Sequence, residues 1–325
     1  MLRITSISTL IEGYTLIGYF LQPELVYLPS EKISLRVGAH LLNYSGTGKF
    51  TLIKPVFSTT YSFARNSSII IGSLSGSDKH NMFDPHFNSE RLYNNYSEDG
   101  LQLITSNDRL FSDTWLSWEN FIFKGDSTRE IFTAGESFRF SSSLIGDVFR
   151  FEIPVQLQFK HYGGHISNYP EHVETYFNLA AGARVNIDIA RKRYGQAGIE
   201  YLVFTGSELT GKSASGITYG YAEWYKLHYA FKSLNLGVGY WTAHDFFAPN
   251  GNPIYGSVSD YQKNVIISDR EIITGSVNLT LLPESYFELY FRIDTFYDPD
   301  SKKLDNSITL HLSFDKLIRL ANLKH

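Results

Sequence analysis

The sequence predicts an all-β fold: a single closed antiparallel transmembrane β-barrel formed by the whole chain, residues 1–325. Segments of about ten or more residues alternate between apolar and polar side chains, which is the two-residue period of a β-strand. The connections between these segments are alternately short and long, as they are at the two rims of a membrane barrel. No window approaches the roughly 18 consecutive apolar residues that a membrane-spanning helix needs.

The clearest strand is residues 148–160, with the sequence VFRFEIPVQLQFK. Phenylalanine and aliphatic side chains occupy one parity, whereas Arg150, Glu152 and Lys160 occupy the other. In a soluble sheet the apolar face would meet a core, and in a membrane barrel it would meet lipid while the polar face lines a lumen. This strand alone does not distinguish the two.

The number of strands follows from the same alternation. Fifteen segments show it, with bounds 13–27, 33–41, 50–63, 68–73, 101–105, 111–123, 130–140, 148–160, 174–188, 195–204, 216–229, 234–241, 265–281, 286–296 and 306–317. Because a single-chain bacterial barrel normally has an even number of strands with both termini at the short-turn rim, a further strand is expected within residues 1–10. We predict about 16 strands, or 14 if the weak 101–105 segment and one other are not strands. Glu136 and Glu223 fall on the apolar parity, which predicts a bulge or a shifted register there.

The connections favour the membrane barrel over a soluble sandwich. The short ones are 29–32, 64–67, 106–109, 144–147, 189–193, 230–233 and 283–285, and the longer or more polar ones are 75–98, 163–173, 206–214, 246–262 and 298–304. A soluble sandwich has no reason to lengthen every second connection. The 75–98 connection is long enough to fold inward and constrict a channel.

Composition excludes several other classes of protein. A formal charge of −4 without a basic stripe argues against nucleic acid as a partner. The absence of cysteine removes disulfides and thiolate metal sites. A mean hydropathy of −0.17 is too polar for a helical membrane protein, whereas alternation cancels hydropathy in a barrel.

Three motifs could carry chemistry, and each is better explained as a polar loop. His165, Ser167 and Asn168 resemble the H-x-S-N element of outer-membrane phospholipases, but Tyr169 stands where that element has glycine. The sequence around Asp298 offers oxygen ligands for calcium but lacks the EF-hand pattern.

The third motif is in the 75–98 connection, where no pair has the i, i+4 spacing of a helical zinc site; its candidate ligands are His80, Asp84, His86 and Glu90. We therefore predict no catalytic residue, no metal site, no cofactor and no enzymatic activity.

Charged side chains on the polar parity form the one constellation that indicates function. They are Glu24, Arg36, His40, Arg150, Glu152, Lys160, Arg184, Asp188, Glu288, Arg292 and Asp294. Burying so many charges in an apolar core would cost several kcal/mol each unless they were paired, so a wet lumen fits better. Two interpretations stay open: the charges line a pore and select solutes, or they pair with one another and stiffen a plugged barrel.

Several stretches resemble a family of outer-membrane barrels common in Bacteroidota. They are GYTLIGYFLQPELVY, GAHLLNYSG, GSLSGSDKHNMFDP followed by ERLY and GLQL, and HYGGHISN followed by YFNLAAGARV. The resemblance implies a location in the cell outer membrane, surrounded by its lipid, and a porin-like architecture that passes small hydrophilic solutes. It assigns no catalytic residue. Because several Bacteroidota barrels are accessory subunits of larger outer-membrane complexes, a non-enzymatic subunit held by other outer-membrane proteins is the alternative.

Overall fold

The described strands of the computed structural model form one antiparallel sheet. The structure describes residues 2–5, 10–146, 148–164, 166–190, 193–260, 262–281, 287–315 and 318. The strands are β1 (Leu2–Thr5), β2 (Thr15–Leu21), β3 (Glu24–Ser30), β4 (Ile33–Tyr44), β5 (Leu52–Ala64), β6 (Ser67–Ser73), β7 (Asp99–Ser106), β8 (Leu110–Asn120), β9 (Glu130–Ser141), β10 (Phe149–Gly163), β11 (Glu174–Asp188), β12 (Gln196–Glu208), β13 (Tyr219–Phe231), β14 (Leu234–His244), β15 (Asp269–Leu281), β16 (Glu288–Asp298) and β17 (Lys303–Ser313).

These strands occupy sixteen positions in the sheet, which confirms the predicted number. β2 and β3 both pair with β4, and they form one position that is interrupted at Gln22 and Pro23. Proline has no backbone N–H to donate to the ladder, so the interruption falls where the ladder would need one. The strand expected within residues 1–10 is β1, which pairs with both β2 and β17.

The two faces of the sheet have the opposite polarity to those of a soluble protein. Leu227 and Val238 face outward and are 60% and 59% exposed, whereas Gln158 and Asn178 face inward and are buried. Exposing so many apolar side chains to water would cost a large free energy. The outer face is therefore built to contact lipid.

One detail of the predicted strands is wrong. Neither Glu136 nor Glu223 lies at a bulge, because their ladders run without a shift through Glu136↔Leu157 and Glu223↔Thr242. Both side chains genuinely face outward. The connection at 298–304, predicted to be longer or more polar, is short and polar, since β16 ends at Asp298 and β17 begins at Lys303.

The interior is filled largely by two long connections. Residues 74–98 contain a 3₁₀ turn (Ser77–His80) and the short helix α1 (Arg91–Asn94), and residues 245–268 contain a second 3₁₀ turn (Pro253–Tyr255). The two segments bind each other through the side chains of Asn252 and Asp84 at 2.7 Å. The expectation that the 75–98 segment folds inward is confirmed.

An apolar cluster packs these connections against the inner wall. It includes Leu10, Phe204, Trp241, Phe246 and Tyr255. Among the described residues, no helix is both long and apolar enough to cross a membrane.

Candidate functional site

The predicted lumen charges lie on the inward face, and most of them are paired. Four ion pairs account for seven of the eleven residues: Arg36 with Glu24 at 3.6 Å, Lys160 with Glu119 at 2.6 Å, Arg184 with Glu152 at 3.0 Å, and Arg292 with Asp294 at 2.6 Å. Glu119 was not among the predicted residues. These pairs support the interpretation that the charges stiffen the wall.

The other four predicted residues have different surroundings. His40 Nδ1 lies 2.9 Å from Gln22 Oε1, and Asp188 accepts a hydrogen bond from Gln196. Arg150 is half-buried near the short-turn end of β10, and Glu288 is exposed at the short-turn end of β16. The structure therefore does not gather the eleven charges into one site.

A charge network around Glu200 links four neighbouring strands. Glu200, which is buried on β12, accepts hydrogen bonds from Arg184 of β11 and lies 3.2 Å from Lys226 of β13. Arg184 also reaches Glu152 of β10. Glu152 and Arg184 were among the predicted residues, whereas Glu200 and Lys226 were not. The partners of Glu200 lie on neighbouring strands, and the alternation within one strand does not reveal them.

The motifs in the loops are held as structural elements. His165 lies outside the described residues. Ser167 Oγ donates to the carbonyl of Gly164, and Asn168 donates to the carbonyl of Gly125, so both polar groups are engaged in holding the loop. Asp298 Oδ1 accepts from the backbone N–H of Asp300 and caps its turn.

The histidines of the 74–98 connection have structural roles. His80 is buried between Asp113 at 2.9 Å and Glu98 at 2.8 Å, and its ring stacks on Trp115. His86 is buried against apolar rings, and this desolvation lowers its pKa to about 3. In the described part of the chain, no group of three or more histidine and carboxylate side chains is arranged to hold a metal ion.

A histidine–carboxylate pair lies instead on the outer face of the wall. His244, the last residue of β14, is directly opposite Asp269, the first residue of β15. Nδ1 of His244 lies 2.7 Å from Oδ1 of Asp269, and their side chains are 48% and 86% exposed. When Nδ1–H donates to the carboxylate of Asp269, Nε2 is the unprotonated nitrogen and can act as a base. Nε2 also lies 3.6 Å from Oδ2 of Asp245, the next residue in the chain.

Polar side chains surround this pair on the outer face. The ring of Tyr221 lies 5.7 Å from that of His244 on the neighbouring strand. One row closer to the middle of the wall, Glu223, Thr242 and Glu271 lie side by side in register. Glu223 accepts hydrogen bonds from Tyr201 at 3.0 Å and Tyr225 at 2.8 Å. The apolar belt is thus interrupted next to the histidine.

The backbone at this corner is tightly constrained. Asp245 has a φ of 49°, and its carbonyl oxygen would lie only 1.8 Å from a Cβ added to Gly220. Aspartate is one of the few residue types that occupy this left-handed region with modest strain. The turn sends the chain from exposed His244 to buried Phe246, so it fixes where the imidazole leaves the wall.

His244 was not among the predicted site residues, because the predicted strand ended at Trp241. Continuing the alternation of this strand to His244 would have placed Thr242 and His244 outward. The alternation of the next strand likewise places Asp269 outward. The two residues are 25 positions apart, and only strand pairing brings them together.

Solved structures with a similar fold are outer-membrane proteins. A loop-deletion variant of OmpT, an outer membrane protein of Vibrio cholerae, has a TM-score of 0.52 at 10% identity, with 94% of each chain covered. The crystal structure of Pseudomonas aeruginosa OccK10 (OpdN) has a TM-score of 0.51 at 13% identity, with 98% of each chain covered. No curated protein sequence matches the chain. The apolar outer wall and this fold together locate the protein in the outer membrane.

The match to a family model corrects the expectation that the protein is not an enzyme. The model is described as lipid A 3'-O-deacylase-type, and it matches residues 7–323. That description names the hydrolysis of an acyl ester, so the prediction that the protein has no enzymatic activity is wrong. That other outer-membrane proteins hold the chain as a subunit of a larger complex stays a prediction. The resemblance to a family of outer-membrane barrels is confirmed. The chain belongs to the lipid A 3'-O-deacylase-type family.

Proposed function

We propose that the protein is an outer-membrane esterase that removes an ester-linked acyl chain from a lipid A-type lipid at its outer wall. The observation that carries this proposal is the His244–Asp269 pair, which is exposed on the lipid-facing side at the long-connection ends of β14 and β15. Long connections of such barrels face the cell exterior. A lipid anchored in the outer leaflet presents its ester bonds near the membrane surface, so it can reach this pair without leaving the membrane.

We propose further that the sheet closes into a complete transmembrane barrel. β1 pairs with β17 at one edge and with β2 at the other, and each later described strand continues the ladder to its neighbour. Closure is expected in lipid, because an open sheet edge would leave backbone groups unsatisfied there.

The pair fits general-base hydrolysis. Nε2 of His244 takes a proton from water while the water oxygen attacks the ester carbonyl carbon. In the resulting tetrahedral intermediate, the bond between the former carbonyl carbon and the sugar oxygen then breaks. The imidazolium returns its proton to this leaving alkoxide. The products are a free fatty acid and a sugar hydroxyl. Asp269 orients the ring and stabilises its charge. The proposed hydrogen-bond donor to the developing oxyanion is the hydroxyl of Tyr221, whose ring lies 5.7 Å from that of His244.

The proposal is tested by substituting the pair. His244→Gln and Asp269→Asn keep the size of each side chain but remove the base and its orienting charge. We expect His244→Gln to lower the rate of fatty-acid release from lipid A in detergent micelles by about 10²–10⁴-fold, the usual contribution of a general base. Mass spectrometry of the lipid measures the loss of one acyl chain.

The matched control is His172→Gln, which changes an exposed histidine in another long connection. It should retain the full rate, and all variants should keep the heat-modifiable migration of a folded barrel. Full activity of folded His244→Gln would refute the assignment of the site.

Passage of small hydrophilic solutes is a second candidate function. It is supported by two cavities that remain in the plugged interior, of about 520 Å³ and 350 Å³. Glu288, Arg292 and Asp294, three of the predicted lumen residues, line the smaller cavity. Conductance of the purified protein across a planar bilayer tests this function.

A further inference from the structure

The two interior cavities lie in series from one rim of the wall to the other. The larger cavity reaches Glu174 and Ser215, which lie at the long-connection rim. The smaller cavity reaches Glu288 and Ser313, the paired residues at the short-turn ends of β16 and β17. Together they follow the inner face of β16 and the inserted connections across the whole height of the wall.

The two cavities share part of their lining, and this shared part is called the junction below. Asn88, Glu90, Asn252 and Phe296 line both of them. The junction is formed where the two connections bind each other, with Asn252 N–H donating to the carbonyl of Asp84 and Asn88 N–H donating to that of Asn250. Glu90, which is buried there, accepts a hydrogen bond from Tyr14.

The lining of this route has an excess of negative charge. Seven carboxylates line the two cavities, against four cationic side chains. Acidic side chains line the smaller cavity (Asp78 and Glu288), the junction (Glu90) and the larger cavity (Glu174). In a narrow channel with low-dielectric walls, such an excess raises the local concentration of cations and repels anions.

We propose that the lumen contains a narrow cation-selective path, formed by the two cavities and controlled at the Glu90 junction. This inference rests on the solute-passage function proposed above, and it names the class of solute as small cations. The path is separate from the outer-wall site, because neither His244 nor Asp269 lines either cavity.

The test is the reversal potential of the purified protein in a planar bilayer with an asymmetric KCl gradient. The wild-type protein should show a preference for potassium over chloride. Glu288→Lys reverses a charge at the short-turn end of the smaller cavity and should shift the reversal potential toward that of chloride. Glu90→Gln removes the charge at the junction and should reduce the preference for potassium over chloride. Glu31→Lys is the matched control, since Glu31 lies in a short turn at the same rim but lines neither cavity.

The outcomes separate this inference from the functions on which it depends. A conducting protein that prefers anions, or whose selectivity is the same in Glu288→Lys and wild type, would refute the cation path while leaving solute passage intact. A folded protein that never conducts would refute both.

Discussion

At the scale of single residues, the direction of each charged side chain determines its role. Inward charges such as Arg184 and Glu200 are stabilised by partners on adjacent strands. The outward Glu223 accepts hydrogen bonds from the hydroxyls of Tyr201 and Tyr225, and an acidic group facing lipid is costly. A costly polar group retained beside an exposed histidine is the pattern expected of a functional surface.

The Glu200 network leads to a prediction of stability. Glu200→Gln leaves Lys226 without its carboxylate partner and weakens the contact of Arg184. Removing one member of a buried ion pair is strongly destabilising, so we expect a loss on the order of 3 kcal/mol in unfolding free energy. Urea-induced unfolding followed by tryptophan fluorescence measures it.

The control for this prediction is Glu171→Gln. Glu171 is exposed and lies 3.3 Å from Arg129, and a surface ion pair contributes roughly 0–1 kcal/mol. Equal losses for the two variants would contradict the network's importance.

At the scale of secondary-structure elements, the corner between β14 and the 245–268 connection positions the candidate base. The left-handed Asp245 and the close approach of Gly220 leave this turn little freedom to move. Small displacements of catalytic groups can reduce rates by about 10²-fold.

Gly220→Ala should therefore reduce esterase activity without unfolding the barrel. The added Cβ would collide with the carbonyl of Asp245 and shift His244 away from its present position. We expect a loss of about tenfold or more in deacylation rate. Gly48→Ala is the control, because a Cβ there meets no atom within 4 Å; equal activities of the two variants would show that the corner does not position the base.

At the scale of the whole molecule, the two connections that fill the interior, residues 74–98 and 245–268, form a plug. His80 is one of the residues that bind this plug to the wall. His80 lies in the 74–98 connection and contacts Asp113 of β8 and Glu98. Burial alone would lower its pKa, but hydrogen bonds and charge attraction from the two carboxylates outweigh burial and raise the pKa to about 9.

This raised pKa predicts a pH-dependent plug. The contribution of His80 is fully present below its ordinary pKa of 6.5 and is lost as pH rises through about 9, because the folded state binds the proton more tightly than the unfolded state. Hydrogen exchange in residues 74–98 should therefore increase between pH 7 and 10 after correction for intrinsic exchange. His80→Gln should lack this increase, and an identical pH profile in the variant would contradict the assignment.

The sequence by itself determined the wall of this protein. A two-residue period is a local property, so the alternation around Val155 or Leu289 shows which side chains share a face before any partner is known. It yielded the strand number and the inward direction of the predicted charges, whereas the outward position of Glu223 was mistaken for a bulge or a shifted register. The conclusion about activity was wrong because parity assigns a face and says nothing about chemistry.

Only the tertiary structure decided which residues meet. Arg184 gains Glu200 across a strand pair, and Asn252 meets Asp84 although 168 positions separate them. His244 and Asp269 become a pair only when β14 and β15 align and the intervening connection folds into the interior. These contacts depend on long-range pairing and on loops without periodicity, for which a local pattern carries no information.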